Sequence, residues 1–449
     1  MPLHFPATFL QEWYYRAVDS GWSAMNVPLV AHFIHGYERD YLQDAINDLV
    51  ERHESLRTEL TAIDNGIIQT VRDEPTLVLE ELPQFNRPPS GLHNILQSAH
   101  ETITEPFDVR GGSLVRARVF PLDSDQALLV ISANHAVCDG WSAHIIYRDL
   151  VELYHARRAQ RPPRLPRLNV QFGDFATWEN AIRGTPAPAY WINRLKSGNP
   201  RLMISCSERD FQPARVRIKR LSLIKAEAAQ SLFGLAKRLR TTLSRVLGAT
   251  ILASLWPYVT ESGITVGLIT SNRHRPELRE IVGDLWDQLP IRMELAGDPT
   301  FADLVALFDE VVSEAYERQL PIAILSKLIR SNPERGTGPL FDIRINTIPF
   351  LSGRKFTRAG ARWPIEIERK ESEFEKQGYD IDDWWDGISL IDFQDRIYSD
   401  GTIDRYALFN ANAVSAQRVD RLSEDLGNIV VEASTNATLR VSGMTHRHS

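Results

Sequence analysis

The sequence predicts an α/β fold in two halves, and three observations carry that expectation. A chain of 449 residues is long enough for two domains of ordinary size, each with its own core. Residues 127–154 read as a buried strand, a tight Asp-Gly turn and a helix with one largely apolar face. Helical patterns at about 225–240 and 243–256, followed by the apolar strand Ile264–Thr270, repeat this alternation in the second half.

Composition narrows the function classes. Hydrophobic residues make up 43% and charged residues 24%, the balance of a soluble globular protein. A net charge of −7 argues against general nucleic-acid binding. Two cysteines make no disulfide framework, which suits a reducing cytoplasm. The N-terminus lacks the basic region and apolar core of a signal peptide, and no apolar run approaches the roughly 20 residues of a membrane span. Internal repeats and low-complexity tracts are not visible. The expectation is a cytoplasmic monomer with neither nucleic-acid nor membrane partners.

In chain order, Thr8 and Gln11 form a capping-box pattern, continued by a helical stripe of Phe9, Trp13 and Ala17. Residues 26–34 read as a strand. Residues 39–53 read as an amphipathic helix with Leu42, Ala45, Ile46, Leu49 and Val50 facing inward. Asn65-Gly66 between apolar residues signals a hairpin. Residues 114–120 alternate as a strand, turned by residues 123–125 into the strand that delivers His135. Gly111-Gly112-Ser113 is not a phosphate loop, because no Gly-Lys-Ser/Thr follows. Arg157, Arg158, Arg161, Arg164 and Arg167, with Pro162, Pro163 and Pro166, form a basic connector that reads as a solvated linker or a docking patch for an acidic partner. Phe172, Phe175 and Trp178, then Tyr190 and Trp191, look like aromatic anchors tying it to a core. A helix is expected at 301–316, strands at 341–347 and 388–393, and a closing helix at 414–431. The acidic stretch 366–386, with Trp384 and Trp385, reads as a mobile surface loop.

The chemistry-bearing stretch is Asn134-His135-Ala136-Val137-Cys138-Asp139-Gly140-Trp141-Ser142. A histidine at the end of a buried strand has its backbone fixed while its ring can face a cleft, a good place for a proton-transfer group. The residues alone leave other readings open. His135 can be a structural histidine, and Asp139 the N-cap of the following helix. His135, Asp139 and His144 suggest a metal set, but no helix spans all three. Cys138 is a nucleophile or a packing residue, with nothing nearby in sequence to depress its pKa.

His135-Ala-Val-Cys-Asp139-Gly140 matches the His-x-x-x-Asp-Gly signature of chloramphenicol-acetyltransferase-like acyltransferases, and with Trp141-Ser142 it resembles the condensation domains of nonribosomal peptide synthetases. Arg52-His53-Glu54-Ser55-Leu56-Arg57-Thr58 is similar to that family's Arg-His-Glu-x-Leu-Arg-Thr motif. Residues 172–178, with Tyr190-Trp191, resemble its Tyr-x-Asp-Phe-Ala-x-Trp motif and the Tyr-Trp beyond it. Weaker matches fall at 5–13 and 318–321. Residues 281–292 lie where the family has Gly-x-Phe-Val-Asn-Thr-Leu-Pro-Leu-Arg: Gly283, Pro290 and Arg292 are kept, while Trp286 and Asp287 replace Val-Asn. Such domains usually carry a second histidine before the catalytic one, where this chain has Asn134.

The resemblance implies two chloramphenicol-acetyltransferase-like subdomains, placed at 1–173 and 174–449, forming a V-shaped pseudo-dimer with a central active-site tunnel. It implies a freestanding condensation enzyme that joins a carrier-bound acyl thioester to an amine or alcohol; the alternatives are an acyl-CoA-dependent transferase of the same fold and a catalytically degenerate domain that binds a carrier or recruits a partner. No metal or other bound cofactor is required; phosphopantetheine arrives on an acyl or peptidyl carrier protein. His135 is expected to act as general base or to position the nucleophile. The Gly140 backbone is expected to approach the substrate and stabilise the oxyanion. Asp139 pairs with Arg292 across the halves in this expectation, and Asn134 is structural. Trp141, Ser142, Trp286 and Asp287 are candidates for lining the tunnel.

Overall fold

The structure, a computed structural model, describes residues 2–18, 26–33, 37–74, 77–82, 89–122, 126–183, 189–195, 204, 216–259, 263–294, 297–330, 340–349, 361–362, 390–398 and 400–445. The chain divides into two compact units. The first takes Met1–Thr185, Ser271–Trp286 and Arg354–Ser372; the second takes Pro186–Thr270, Asp287–Gly353 and Glu373–Ser449.

The first unit is organised by the strand Ala127–Asn134, every residue of which is buried. Side chains alternate across a strand, and here both faces are covered. Leu129, Ile131 and Ala133 enter the core built with the helices Arg39–Arg52 and Gly140–Arg158, which pack on each other. Leu128 and Val130 point the other way, into a smaller cluster with Ala99 and Phe120. This explains an apolar run without alternation in the sequence. The sheet order is 361–362, Asn26–Phe33, Ala127–Asn134, Val115–Pro121 and Leu79–Glu81. A separate antiparallel sheet joins Leu3–Pro6, Gly66–Val71 and Thr58–Ile63, with the Asn65-Gly66 hairpin where the sequence places it.

The helix Phe172–Ala181 belongs to this first unit, so the boundary expected between 173 and 174 is corrected. A cut there would break a helix in its first turn, and Phe172 and Phe175 are buried against Leu278, Ile281 and Leu285. The close approach extends to backbone: a Cβ on Gly283 would lie 2.3 Å from Phe172 Cδ2. Trp178 is no buried anchor; it is 39% exposed, with the Arg275 guanidinium over its ring. Arginines of the basic connector are matched locally. Arg157 pairs with Asp48, Arg158 with Glu38, and Arg161 with Glu152.

The second unit has a six-stranded sheet in the order Asp287–Glu294, Gly263–Thr270, Ile343–Pro349, Ile391–Ile397, Ile403–Asn410 and Val216–Ile224. Ile343–Pro349 runs parallel to both its neighbours, and the other pairings are antiparallel. Helices Ala226–Arg238, Leu243–Leu255, Phe301–Glu317 and Ala416–Thr435 contribute to its core. Side chains of Thr242, Thr300 and Ser415 cap three of them. Trp191 is buried here, its indole N–H donating to the Arg318 carbonyl at 2.7 Å. The strands Val216–Ile224 and Ile403–Asn410 were not anticipated from the sequence. The acidic stretch 366–386 lies outside the described residues.

Gly248 offers a direct contest between helix propensity and packing. Alanine is worth roughly 1 kcal/mol over glycine inside a helix. A Cβ at Gly248, however, would lie 2.5 Å from Cε1 of the fully buried Phe308, and overpacking costs about 1–3 kcal/mol. Gly248→Ala is therefore expected to lower the melting temperature; an increase would mean that Phe308 yields freely.

Candidate functional site

The site grows out of the end of the strand Ala127–Asn134. A single 3-10 turn, His135–Val137, follows, capped by Asn134, whose Oδ1 accepts from the Ala136 N–H at 2.9 Å. Asn134 is fully buried and shapes the turn. A second tie comes from the capping-box helix Phe9–Ala17, where Gln11 Nε2 donates to the Ala136 carbonyl at 3.1 Å. The turn ends at Asp139, whose Oδ1 caps the helix Gly140–Arg158 by accepting from the Ser142 N–H at 2.8 Å.

Asp139 does more than cap. Arg273 donates to both its oxygens, Nη1 to Oδ2 at 2.6 Å and Nη2 to Oδ1 at 3.0 Å. The Leu285 N–H donates to Asp139 Oδ2 at 3.1 Å. Burial alone would raise the pKa of Asp139, but the Arg273 charge and hydrogen bonds override it and hold the carboxylate below its ordinary range. The expected pairing with Arg292 is corrected: Arg292 lies on the strand Asp287–Glu294 of the second unit, whereas Arg273 follows directly on the strand Gly263–Thr270. A charge placed just past a strand end, in the turn 271–273, was the available signal.

This ion pair brings the segment Ser271–Trp286 against the histidine turn. His135 Nδ1 lies 3.0 Å from Asp284 Oδ1. The Asp284 side chain is fully buried, and that of His135 retains 17% exposure. Nε2 makes no hydrogen bond to the described residues. Tyr14, fully buried on the capping-box helix, sets its ring 5.9 Å from that of His135. Trp286 meets the imidazole edge-on at 6.2 Å. Burial lowers the pKa of His135, but the Asp284 charge and hydrogen bond outweigh it, and the net shift is upward. Burial pushes Asp284 up to about 6, against the pull of His135. The Tyr14 hydroxyl is raised well above its ordinary value by burial and then by Asp284. Asp284 and Tyr14 were missed by sequence reading; a lone carboxylate inside the apolar run 281–286 was the signal for the first, and Tyr14 had none.

The other expected site residues sort differently. Gly140 is exposed and opens its helix, so its N–H is one of those a helix start leaves without an intrahelical partner. Space beyond its Cα is open: an added Cβ would meet no atom within 4 Å. Trp141 is half-buried, and its indole N–H donates to the Arg279 carbonyl at 3.1 Å. Ser142 is corrected from substrate-lining to structural. It is fully buried, and its hydroxyl lies 2.8 Å from both Asp139 Oδ1 and the Gly283 carbonyl, the two acceptors within reach of its one proton, while it accepts from the Gly283 N–H and Arg273. Asp287 is corrected likewise: it is buried in the second unit, where Oδ1 accepts from Gln288 N–H and from Ile322 N–H, the first amide of the helix Ile322–Arg330. Burial pushes the Cys138 thiol well above its ordinary range, which removes the nucleophile reading. Among the described residues, no group of three or more His, Cys, Asp or Glu side chains could hold a metal ion. No described helix is long and apolar enough to cross a membrane.

Comparison with known proteins places this geometry in context. The sequence pattern of the Condensation domain family matches residues 3–445. Phosphinothricin tripeptide synthetase PhsC of Streptomyces viridochromogenes is 29% identical over 347 residues, which is 75% of this chain but 32% of that protein. One of the linear gramicidin synthase proteins of Brevibacillus parabrevis is 27% identical over 349 residues, 76% of this chain and 7% of that protein. The chain thus spans only a minor part of either relative. Among solved structures, the SgcC5 protein of Streptomyces globisporus, in complex with (R)-(-)-1-(2-naphthyl)-1,2-ethanediol and sucrose, superposes with a TM-score of 0.74 at 22% identity, covering 97% of this chain and 100% of that one. The X-domain from teicoplanin biosynthesis superposes with a TM-score of 0.73 at 18% identity, covering 97% and 96%. Both likenesses establish the fold.

Asp139→Ala is expected to leave Arg273 buried without a counter-charge, at a cost of roughly 3–5 kcal/mol. His135→Ala is expected to cost far less. Because the folded pKa of Asp139 lies below its unfolded value, its contribution is present above about pH 4 and lost as pH falls through the folded pKa. Thermal melts of the two variants across pH check this: the deficit of Asp139→Ala should shrink in acid, and equal melting temperatures at neutral pH would contradict it.

Proposed function

This chain belongs to the condensation-domain family, and we propose that it is an acyltransferase joining an acyl thioester on a carrier protein's phosphopantetheine arm to an amine or alcohol. The observation that supports this best is His135 itself: a fixed turn, Nδ1 engaged by Asp284, and Nε2 without a partner among the described residues. In the reaction, the acceptor nitrogen or oxygen attacks the thioester carbonyl carbon and its proton passes to Nε2. The tetrahedral intermediate collapses, the carbon–sulfur bond breaks, and the departing thiolate takes the proton. A well-placed base contributes about 10²–10⁴ in rate. The Gly140 N–H, with open space beside it, is the donor suited to the oxyanion.

Asn134 favours a second reading. It occupies the place of the family's usual first histidine, as it would in a domain that binds a carrier or partner without chemistry. One acyl group presented on a carrier protein and on coenzyme A, against a panel of amines and alcohols, separates these readings. Product from the carrier-bound donor supports the proposal, product from coenzyme A alone replaces the donor, and no product with either supports the binding role. His135→Ala is expected to lower turnover by roughly a hundredfold or more while the protein stays folded. Near-normal single-turnover rates in that variant would sink the assignment of His135.

A further inference from the structure

We propose that Asp284 is a positioning residue for His135, holding the imidazole with its proton on Nδ1 so that Nε2 is the basic nitrogen facing the acceptor. The inference rests on the acyl-transfer reading for its kinetic consequence, and on geometry for the rest. The 3.0 Å contact between Nδ1 and Asp284 Oδ1 joins residues 149 apart in sequence. A fully buried carboxylate has no water to turn toward, so it acts as a fixed acceptor. Its backbone is held on both sides. The Gly283 N–H donates to Ser142 Oγ at 3.0 Å, and the Leu285 N–H donates to Asp139.

Position 284 is one that the family pattern leaves unspecified, and Gly283 and Leu285 on either side fall on specified ones. A neutral imidazole has one protonated nitrogen, and the partner of one nitrogen decides the state of the other. With Nδ1–H donated to Asp284, Nε2 keeps its lone pair and can take the acceptor's proton. The carboxylate then stabilises the imidazolium until the proton passes to the leaving thiolate.

The arrangement matters most for a hydroxyl acceptor. A neutral amine attacks with its own lone pair and sheds its proton after the bond has begun to form, whereas a hydroxyl must be relieved of its proton as it attacks. Among the described residues, the acidic and basic groups near the ring are Asp284 and Arg273 on the segment 271–286, Asp139 and Cys138 on the turn, and Tyr14 on the helix Phe9–Ala17. Asp139 also favours the charged imidazole, but it is paired with Arg273, and Asp284 exerts the larger pull on His135.

The test uses the full chain, wild type and Asp284→Asn, with an acyl-carrier donor. For an alcohol acceptor, kcat is expected to fall by roughly 10²–10⁴ with KM within about threefold, and an amine acceptor should suffer less. The working base is neutral imidazole, so activity rises as pH passes upward through its pKa. Loss of the Asp284 charge leaves burial to pull that pKa down, and the acid limb should move to lower pH while the plateau falls. Nitrogen NMR of 15N-histidine-labelled wild-type protein, with His135→Gln for assignment, gives a readout that needs no turnover and no Asp284 variant. Neutral His135 should be protonated on Nδ1 and titrate above an ordinary histidine. A proton on Nε2, or an unchanged acid limb with unchanged kcat in Asp284→Asn, would overturn the proposal. If wild type makes no product from any donor, the acyl-transfer reading fails on its own, and the histidine spectra decide the hold of Asp284 on His135.

Discussion

The buried ion pair between Asp139 and Arg273 is the constraint on which the site depends. It is almost completely removed from water, with side-chain exposures of 4% and 1%. Removing two charges from water is costly, and it is offset here because both Asp139 oxygens and both terminal nitrogens of Arg273 are hydrogen-bonded. Asp139 accepts from Ser142 and Leu285 as well as from Arg273, and Arg273 also reaches the carbonyls of Ser271, Ile281 and Gly283. One residue belongs to the histidine turn and the other to a segment more than a hundred residues away. Joining them sets Asp284 and Trp286 beside the imidazole.

A second polar network fixes the helix that starts at Gly140. Asp149, buried in the middle of that helix, accepts from Arg52 Nε at 2.8 Å, contacts His53 Nε2 at 2.9 Å, and accepts from Arg148 Nε at 2.7 Å. Arg52 and His53 of the motif Arg52–Thr58 thus hold a helix in place. Burial lowers the pKa of His53 despite the neighbouring Asp149, so its ring is neutral at physiological pH. Two histidines of the same unit, each on a carboxylate, end up shifted in opposite directions. The balance differs because Arg52 and Arg148 oppose a positive charge on His53, whereas His135 has the added carboxylate of Asp139.

The first unit sets His135, Tyr14 and Asp284 among elements packed for rigidity. His135 follows a strand buried on both faces, Tyr14 lies on a helix pinned through Gln11 to the Ala136 carbonyl, and Asp284 sits between two backbone amides already engaged. Rigid surroundings hold the His135–Asp284 contact at a fixed distance. Even Gly283 fits this scheme, because its missing side chain is the space that Phe172 fills.

By itself, the sequence determined what depends on neighbours a few residues away. The apolar run 127–132, the turn at Asp139-Gly140, the cap formed by Asp139, the hairpin at Asn65-Gly66 and the inward face of Arg39–Arg52 are local consequences of periodicity and turn chemistry. The spaced motifs also identified the family, because several in order are far more specific than one. What only the tertiary structure decided is which charges meet. Arg273 and Arg292 each follow or occupy an apolar strand, and no periodicity distinguishes them; proximity in the fold gives Asp139 to Arg273. Asp284 was visible as a carboxylate in an apolar run, but its partner lies 149 residues away and is set by packing of the segment 271–286. The unit boundary escaped sequence reading for the same reason, since the chain leaves the first unit at 185 and returns to it at 271. Local backbone preferences act over a few residues, whereas burial and ion pairing act between surfaces that exist only once the chain has folded.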